Sequence, residues 1–244
     1  MDKVISVKNL RKVFNHKTVA VDGISFNILE NEIFGLIGPN GSGKTTTIRM
    51  LATLLDPTSG NILYGEHKLD HSYSDSVRQI IGYVPQGDCL YGDLTVSENM
   101  DIFSRPYRLS ENERAKNIKH LLEELEITEK KDILVKNLSG GFTKRASIAC
   151  SLIHQPKILF LDEVTAGLDP NSRYHIWKLI KELKKKTAIV LTTHYMDEAE
   201  ALADRIAILS NGKILEIDAP QTVIKKYKAK DLNEVMGKVI EAEK

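Results

Sequence analysis

The chain has 244 residues, with 34 Lys and Arg against 33 Asp and Glu and a formal charge of +1. That balance excludes a strongly basic nucleic-acid footprint, and the length suits one large α/β domain or, as expected here, a core carrying an inserted subdomain. No apolar run approaches the ~20 residues of a membrane span and the N-terminus lacks a leader pattern, so a soluble, cytoplasmic chain is expected.

In chain order, residues 4–7 and 24–28 read as edge strands of an N-terminal antiparallel β region, and residues 32–37 as a buried strand running into a glycine loop. A helix is predicted from Lys44 to about Leu54, stopped by the turn residues Asp56-Pro57-Thr58-Ser59-Gly60, and a strand then leads through residues 80–84 to Pro85-Gln86. Over residues 95–154 apolar positions such as Ile118, Leu121, Leu122 and Leu125 recur at helical spacing among many charges, which predicts a helical insert. Short apolar runs return at 158–161, 188–191 and 206–209 between helical segments, the pattern of a doubly wound, mostly parallel sheet. From Pro220 onward the Lys and Glu mixture reads as small terminal helices with a solvated surface. The expected division is a catalytic core of residues 1–86 and 155–219, a helical subdomain of 87–154 and a C-terminal helical extension of 220–244. Cys89 and Cys150 have no metal spacing and read as packing thiols in unrelated contexts, in a reducing compartment.

The loop Gly38-Pro39-Asn40-Gly41-Ser42-Gly43-Lys44-Thr45 fits the phosphate-binding pattern G-x-x-x-x-G-K-[ST], which arises by chance in a chain this long on the order of 1% of the time. It follows a buried strand and opens a helix, so the backbone N–H groups of residues 41–46, Thr46 included, can surround phosphates at a positive helix end. Lys44 would bridge the β- and γ-phosphates and the Thr45 hydroxyl would ligate Mg²⁺. Asp162 and Glu163 end an apolar strand at the carboxyl edge of the sheet, where ligands bind. There Asp162 would orient the waters of Mg²⁺, and Glu163 would take a proton from the water attacking the γ-phosphate. Leu191-Thr192-Thr193-His194 repeats the strand-to-polar switch, placing His194 to hydrogen-bond the γ-phosphate. Gln86, at another strand end and at the entrance to the insert, can reach Mg²⁺ or the attacking water. Phe14 could stack on adenine or pack in the core. Ser139-Gly140-Gly141 opens a helix and makes a second anion site, which is economically explained if it faces the nucleotide of another protomer.

This order of motifs resembles the ATP-binding subunits of ABC transporters along essentially the whole chain. In that resemblance residues 38–45 match the Walker A loop, Gln86 the Q-loop, residues 138–141 the signature, Asp162 and Glu163 Walker B, Ala166-Gly167-Leu168-Asp169 the D-loop and His194 the switch histidine. It implies a P-loop NTPase fold, an ATP site that includes Asp169, ATP and Mg²⁺ as cofactors, and hydrolysis in a head-to-tail dimer. It also implies separately encoded membrane permease subunits as partners, which would hold the chain on the inner face of the cell membrane. Residues 51–60 and 192–200 look most like the drug- and sodium-export type. Phe142 after the signature, Val164 after Glu163 and Phe14 in place of Tyr depart from the common pattern, and none removes a reacting group. An ABC-type clamp acting on nucleic acid or ribosomes uses the same signature but usually adds a coiled coil, a second ATPase domain or basic extensions. A P-loop kinase or GTPase is disfavoured by the signature and by the lack of an N-K-x-D motif.

Overall fold

The computed structural model describes residues 2–15, 17–69, 74–87 and 89–242, so the expected termini at Met1 and residues 243–244 lie outside it. Strands β1 (Lys3–Phe14), β2 (Thr18–Leu29), β4 (Ser59–Tyr64) and β5 (His67–Lys68) form an antiparallel sheet in the order β2-β1-β4-β5. Residues 4–7 are therefore interior to that sheet rather than at its edge, because β4 pairs with their free side. Strands β3 (Ile33–Ile37), β6 (Ile81–Val84), β7 (Ile158–Asp162), β8 (Ala188–Thr193), β9 (Arg205–Ser210) and β10 (Lys213–Asp218) form a second sheet in the order β10-β9-β3-β8-β7-β6. All of its pairings are parallel except β10 with β9.

The side-chain alternation of the second sheet splits the core. Leu159 and Leu161 of β7, with Ile189 and Leu191 of β8, face the helical side; Ile158, Phe160, Ala188 and Val190 face the antiparallel sheet, where Phe26 stacks on Phe34. Helix α1 (Lys44–Leu51) ends three residues before the expected Leu54, since Thr53 turns into a left-handed conformation with φ +61°. The short α2 (Ser74–Arg78) leads into β6. The insert holds α3 (Val96–Ser104), α4 (Glu111–Glu124) and α5 (Gly140–Leu152); the first two open on capping boxes, Thr95 with Glu98 and Ser110 with Glu113. Helices α6 (Pro170–Leu183) and α7 (Met196–Leu202) connect β7 to β8 and β8 to β9.

The terminal helices α8 (Pro220–Lys226) and α9 (Leu232–Ala242) stand where small helices are expected, with their Lys and Glu turned to solvent, and add a buried face that the sequence reading did not include. Their charged faces are exposed, but Val223, Leu232, Val235 and Val239 are buried against Met196, Ala199 and Ile208. Cys89 and Cys150, expected in unrelated contexts, line one cleft between core and insert; burial pushes the Cys150 thiol up from its ordinary pKa. Among the described residues no helix is long and apolar enough to cross a membrane.

Candidate nucleotide site

Four parallel strands end on one side of the sheet and each delivers part of the site, the expected place for ligands in an open α/β sheet. After β3 the chain turns at Gly38, where a Cβ would stand 2.2 Å from the Leu209 carbonyl oxygen. At Gly43, with φ +105°, a Cβ would stand 2.4 Å from the Ala20 carbonyl oxygen. Both positions demand glycine, and the loop they shape leads directly into the N-terminus of α1. Lys44 is 4% exposed; its Nζ donates to the carbonyls of Gly38 at 2.9 Å and Pro39 at 3.1 Å and lies 3.6 Å from Glu163 Oε1. Burial pulls this ammonium below the ordinary lysine pKa, with the Glu163 carboxylate opposing the shift.

β7 delivers Asp162, 1% exposed. Its Oδ1 accepts from Thr45 Oγ1 at 3.1 Å and Thr192 Oγ1 at 2.6 Å, and its Oδ2 from the Tyr83 hydroxyl at 3.3 Å. Burial first, and the Asp162 charge second, push the Tyr83 phenol up and keep it a donor. Glu163 sits in the left-handed region at φ +47°, a costly conformation for a side chain of this kind, held by N–H bonds to Thr192 O and Oγ1, both 3.1 Å. Its carboxylate accepts from Gln86 Nε2 at 3.1 Å and lies 3.2 Å from His194 Nδ1. That imidazole nitrogen is buried, and the contact is not aligned for a hydrogen bond, so among the described residues Nδ1 has no hydrogen-bond partner.

The result is a cleft of about 350 Å³ lined by Asn40, Gly41, Gly43, Lys44, Thr45, Thr46, Gln86, Glu163 and His194. Ser42 Oγ, buried beside it in the loop, has no partner among the described residues. An Asp carboxylate, a Thr hydroxyl and a Gln amide are donors that suit a hard cation such as Mg²⁺, which is commonly held by one or two carboxylates plus substrate phosphates. Phe14 is 38% exposed at the end of β1, with Lys12 Nζ 5.3 Å from its ring centre, so it is not core; it lies outside the residues that line the cleft.

Ser139, Gly140 and Gly141 stand apart from that cleft. Ser139 is the exposed N-cap of α5, and its side chain makes no capping hydrogen bond. Gly141 packs close to α6: a Cβ there would meet the Ser172 side chain, its Oγ at 2.7 Å and its Cβ at 3.0 Å. Gly140 borders a second cleft of about 610 Å³ with Leu138, Lys144, Gln86 and Ala166 to Leu168. Asp169 caps α6, accepting from the N–H groups of Asn171 and Ser172 at 3.0 Å. Phe142 turns into the insert, with Lys130 and Arg145 5.5 and 5.3 Å from its ring centre, and Val164 is buried in the core.

Sequence reasoning misses three contributors. Thr192 bridges Asp162 and the Glu163 N–H; its place opposite Asp162 in the β7–β8 register was the available signal. Tyr83 had only its position near a strand end to mark it. Lys144, 7% exposed, donates from α5 to the Gln86 carbonyl at 2.8 Å; with Arg145 it is one of two charges in a largely apolar helix, and nothing in the sequence says which of them turns inward.

The ABC transporter family model matches residues 21–166, from β2 through the glycine loop and the insert to Glu163 and beyond. Nod factor export ATP-binding protein I of Ralstonia nicotianae is 42% identical over 236 residues, covering 96% of this chain and 73% of that protein. Linearmycin resistance ATP-binding protein LnrL of Bacillus subtilis is 39% identical over 215 residues, covering 88% of this chain and 68% of its own length. An ATP-binding cassette solved as a dimer in a post-hydrolysis state with ADP and Pi superposes with a TM-score of 0.79 at 29% identity, over 88% of this chain and 98% of that one. Matched by the family model over residues 21–166 and by both relatives over most of its length, the chain belongs to the ABC transporter family as one of its ATP-binding subunits.

Proposed function

We propose that the chain hydrolyses Mg-ATP in a head-to-tail dimer and drives export through a separately encoded membrane protein, to which it binds on the cytoplasmic face. The observation that carries this reading is the separation of two anion-binding helix ends. The α1 end opens on the cleft with Lys44, Thr45, Glu163 and His194, whereas the α5 end at Ser139 opens elsewhere with its hydroxyl unused. A second protomer turned head to tail would bring that free helix end onto the first protomer's nucleotide.

In this reading the loop N–H groups and Lys44 hold the phosphates, and Thr45, Gln86 and Asp162 hold the cation. The cation supplies charge neutralisation on the phosphate oxygens. Glu163 takes the proton as the water oxygen bonds to the γ-phosphorus and the bond to the bridging β–γ oxygen breaks. His194 donates to the γ-phosphate, and Phe14 offers its exposed ring to the base. Asp169, Ser139, Gly140 and Gly141 act across the dimer. The core of residues 1–86 and 155–219 performs this chemistry, and α8 and α9 of the extension of 220–244 pack against α7. Within the helical subdomain of 87–154, the insert from Thr95 to His154, with Val84, Pro85 and Gln86, receives the membrane partner; the cleft of about 590 Å³ lined by Leu54, Tyr83, Phe103 and Tyr107 supports that placement. Export rather than import follows the two relatives named for export and drug resistance.

The test compares Ser139→Arg with Lys44→Ala, each in a Glu163→Gln background, by sedimentation and by ATP binding. Ser139→Arg should leave monomer ATP affinity nearly unchanged and abolish ATP-driven dimerisation, while Lys44→Ala weakens both. Equal loss of monomer affinity in the two variants would mean that the signature contacts its own ATP, and the head-to-tail reading would fall.

A further inference from the structure

Helix α7 begins two residues after His194 and carries a carboxylate that the chemistry above does not use. Glu198 is 3% exposed, and its Oε1 accepts from Thr165 Oγ1 at 2.7 Å and from Trp177 Nε1 at 2.9 Å. Both donors are neutral, which makes this a costly way to bury an acid. The two donors lie on different elements. Thr165 is two residues beyond Glu163 in the loop leaving β7, and Trp177 is in the middle of α6. A second grip lies one turn away: Arg173 of α6 places its guanidinium 4.3 Å from the Tyr195 ring centre and 3.4 Å from Asp197, and the Tyr195 ring stands 4.2 Å from that of His194. The segment carrying His194 is thus fastened at both ends to the loop and helix that follow Glu163.

We propose that Glu198 is a positioning residue, tying the loop after Glu163 to the switch segment so that the His194 imidazole stays against the Glu163 carboxylate. The β7–β8 ladder and the Glu163 N–H bonds to Thr192 hold the backbone up to Thr193, and the Glu198 tie sets the course of the segment that leaves it, on which the 3.2 Å approach of Nδ1 to the carboxylate depends. The proposal rests on the ATPase reading, because it assigns Glu198 to the geometry of that site. What matters is an acceptor oxygen at this position rather than its charge, so glutamine should substitute and leucine should not.

The experiment measures kcat and KM for ATP in Glu198→Leu, Glu198→Gln and Trp177→Phe, alone and with His194→Ala, together with the His194 ring resonances by NMR. Glu198→Leu should lower kcat roughly 2- to 30-fold, the range of a residue acting through another, with KM changed by less than about twofold. Glu198→Gln should remain close to the parent, and Trp177→Phe should shift kcat in the same direction by less. In the His194→Ala background Glu198→Leu should cost nothing further, because the residue it positions is gone. The His194 ring signals should move in Glu198→Leu and stay in place in Glu198→Gln. Should Glu198→Leu fail to fold, Trp177→Phe, which keeps a buried aromatic ring, carries the same comparisons. Full additivity with His194→Ala, or unmoved His194 signals, would overturn the proposal. A parent protein that hydrolyses no ATP would instead overturn the ATPase reading, while the NMR comparison would still report on the tie.

Discussion

His154, just past the end of α5, should make the fold acid-sensitive in a way one substitution can remove. Its ring stacks on Tyr107 at 3.6 Å with 3° between planes, and Nε2 lies 2.8 Å from the Ile81 carbonyl oxygen. That bond assigns the proton to Nε2 and leaves Nδ1 buried without a partner. A second proton would place an N–H and a charge where nothing accepts them, so burial lowers the pKa from 6.5 to about 4, against a weaker upward pull from the Ile81 bond. The sign follows from linkage. Above pH 6.5 both folded and unfolded chains hold a neutral ring and the group is silent; as pH falls from 6.5 toward 4 only the unfolded chain binds the proton, and the native state loses stability. One proton per molecule over this window gives a loss of about 1 kcal/mol at pH 5.5, rising to roughly 2–3 kcal/mol at pH 4.5. Urea unfolding from pH 7.5 to 4.5 should show this loss in the parent, and His154→Gln, whose amide can still donate to Ile81, should be flatter by that difference. Parallel stability curves for the two proteins would refute the reasoning.

Glu163→Gln keeps the size of the side chain and its contact with Gln86, so it should bind ATP as well as the parent but turn it over ~10²–10⁴-fold more slowly, the usual worth of a general base; phosphate release within tenfold of the parent would remove Glu163 from that role. Phe14 offers a ring face and no edge reader, so ATP and GTP should compete within about tenfold, ~1.4 kcal/mol, in an equilibrium displacement assay. Gly43→Ala forces a methyl against the Ala20 carbonyl at φ +105° and should cost on the order of 1–3 kcal/mol in chemical unfolding, with loss of ATP binding; an unchanged unfolding midpoint would contradict the close approach.

The cleft at the strand ends was legible because its groups sit where strands end, and strand ends are marked in sequence by an apolar run breaking into polar residues. Gln86, Asp162, Glu163 and His194 all carry that mark, and the structure brings them together with Lys44 and Thr45. What stayed hidden depends on register and facing. The strand β10 goes unread although Asn211-Gly212, with φ +46° and +76°, is a hairpin signal, because its burial is only partial on both faces. Strand β4 is masked by the turn residues that begin it, Ser59 and Gly60, and its partnership with β1 is a long-range fact. The burial of α9 was obscured by composition: its Lys and Glu lie on one face, and the apolar stripe of Leu232, Val235, Met236 and Val239 on the other only has meaning once α7 is there to receive it.

Lys144 acts as a tie rod between loop and helix. Its ammonium grips the Gln86 carbonyl from a point five residues, ~7.5 Å of helix rise, beyond Ser139. A charge-assisted bond of this kind is worth ~1.5–3 kcal/mol, so the loop at Gln86 travels more cheaply with α5 than away from it. Because the attachment lies so near the helix end, a swing of ~10° about it displaces Ser139 by only ~1.3 Å. A tie placed this close to the helix end therefore keeps Ser139 near its place relative to the Gln86 loop.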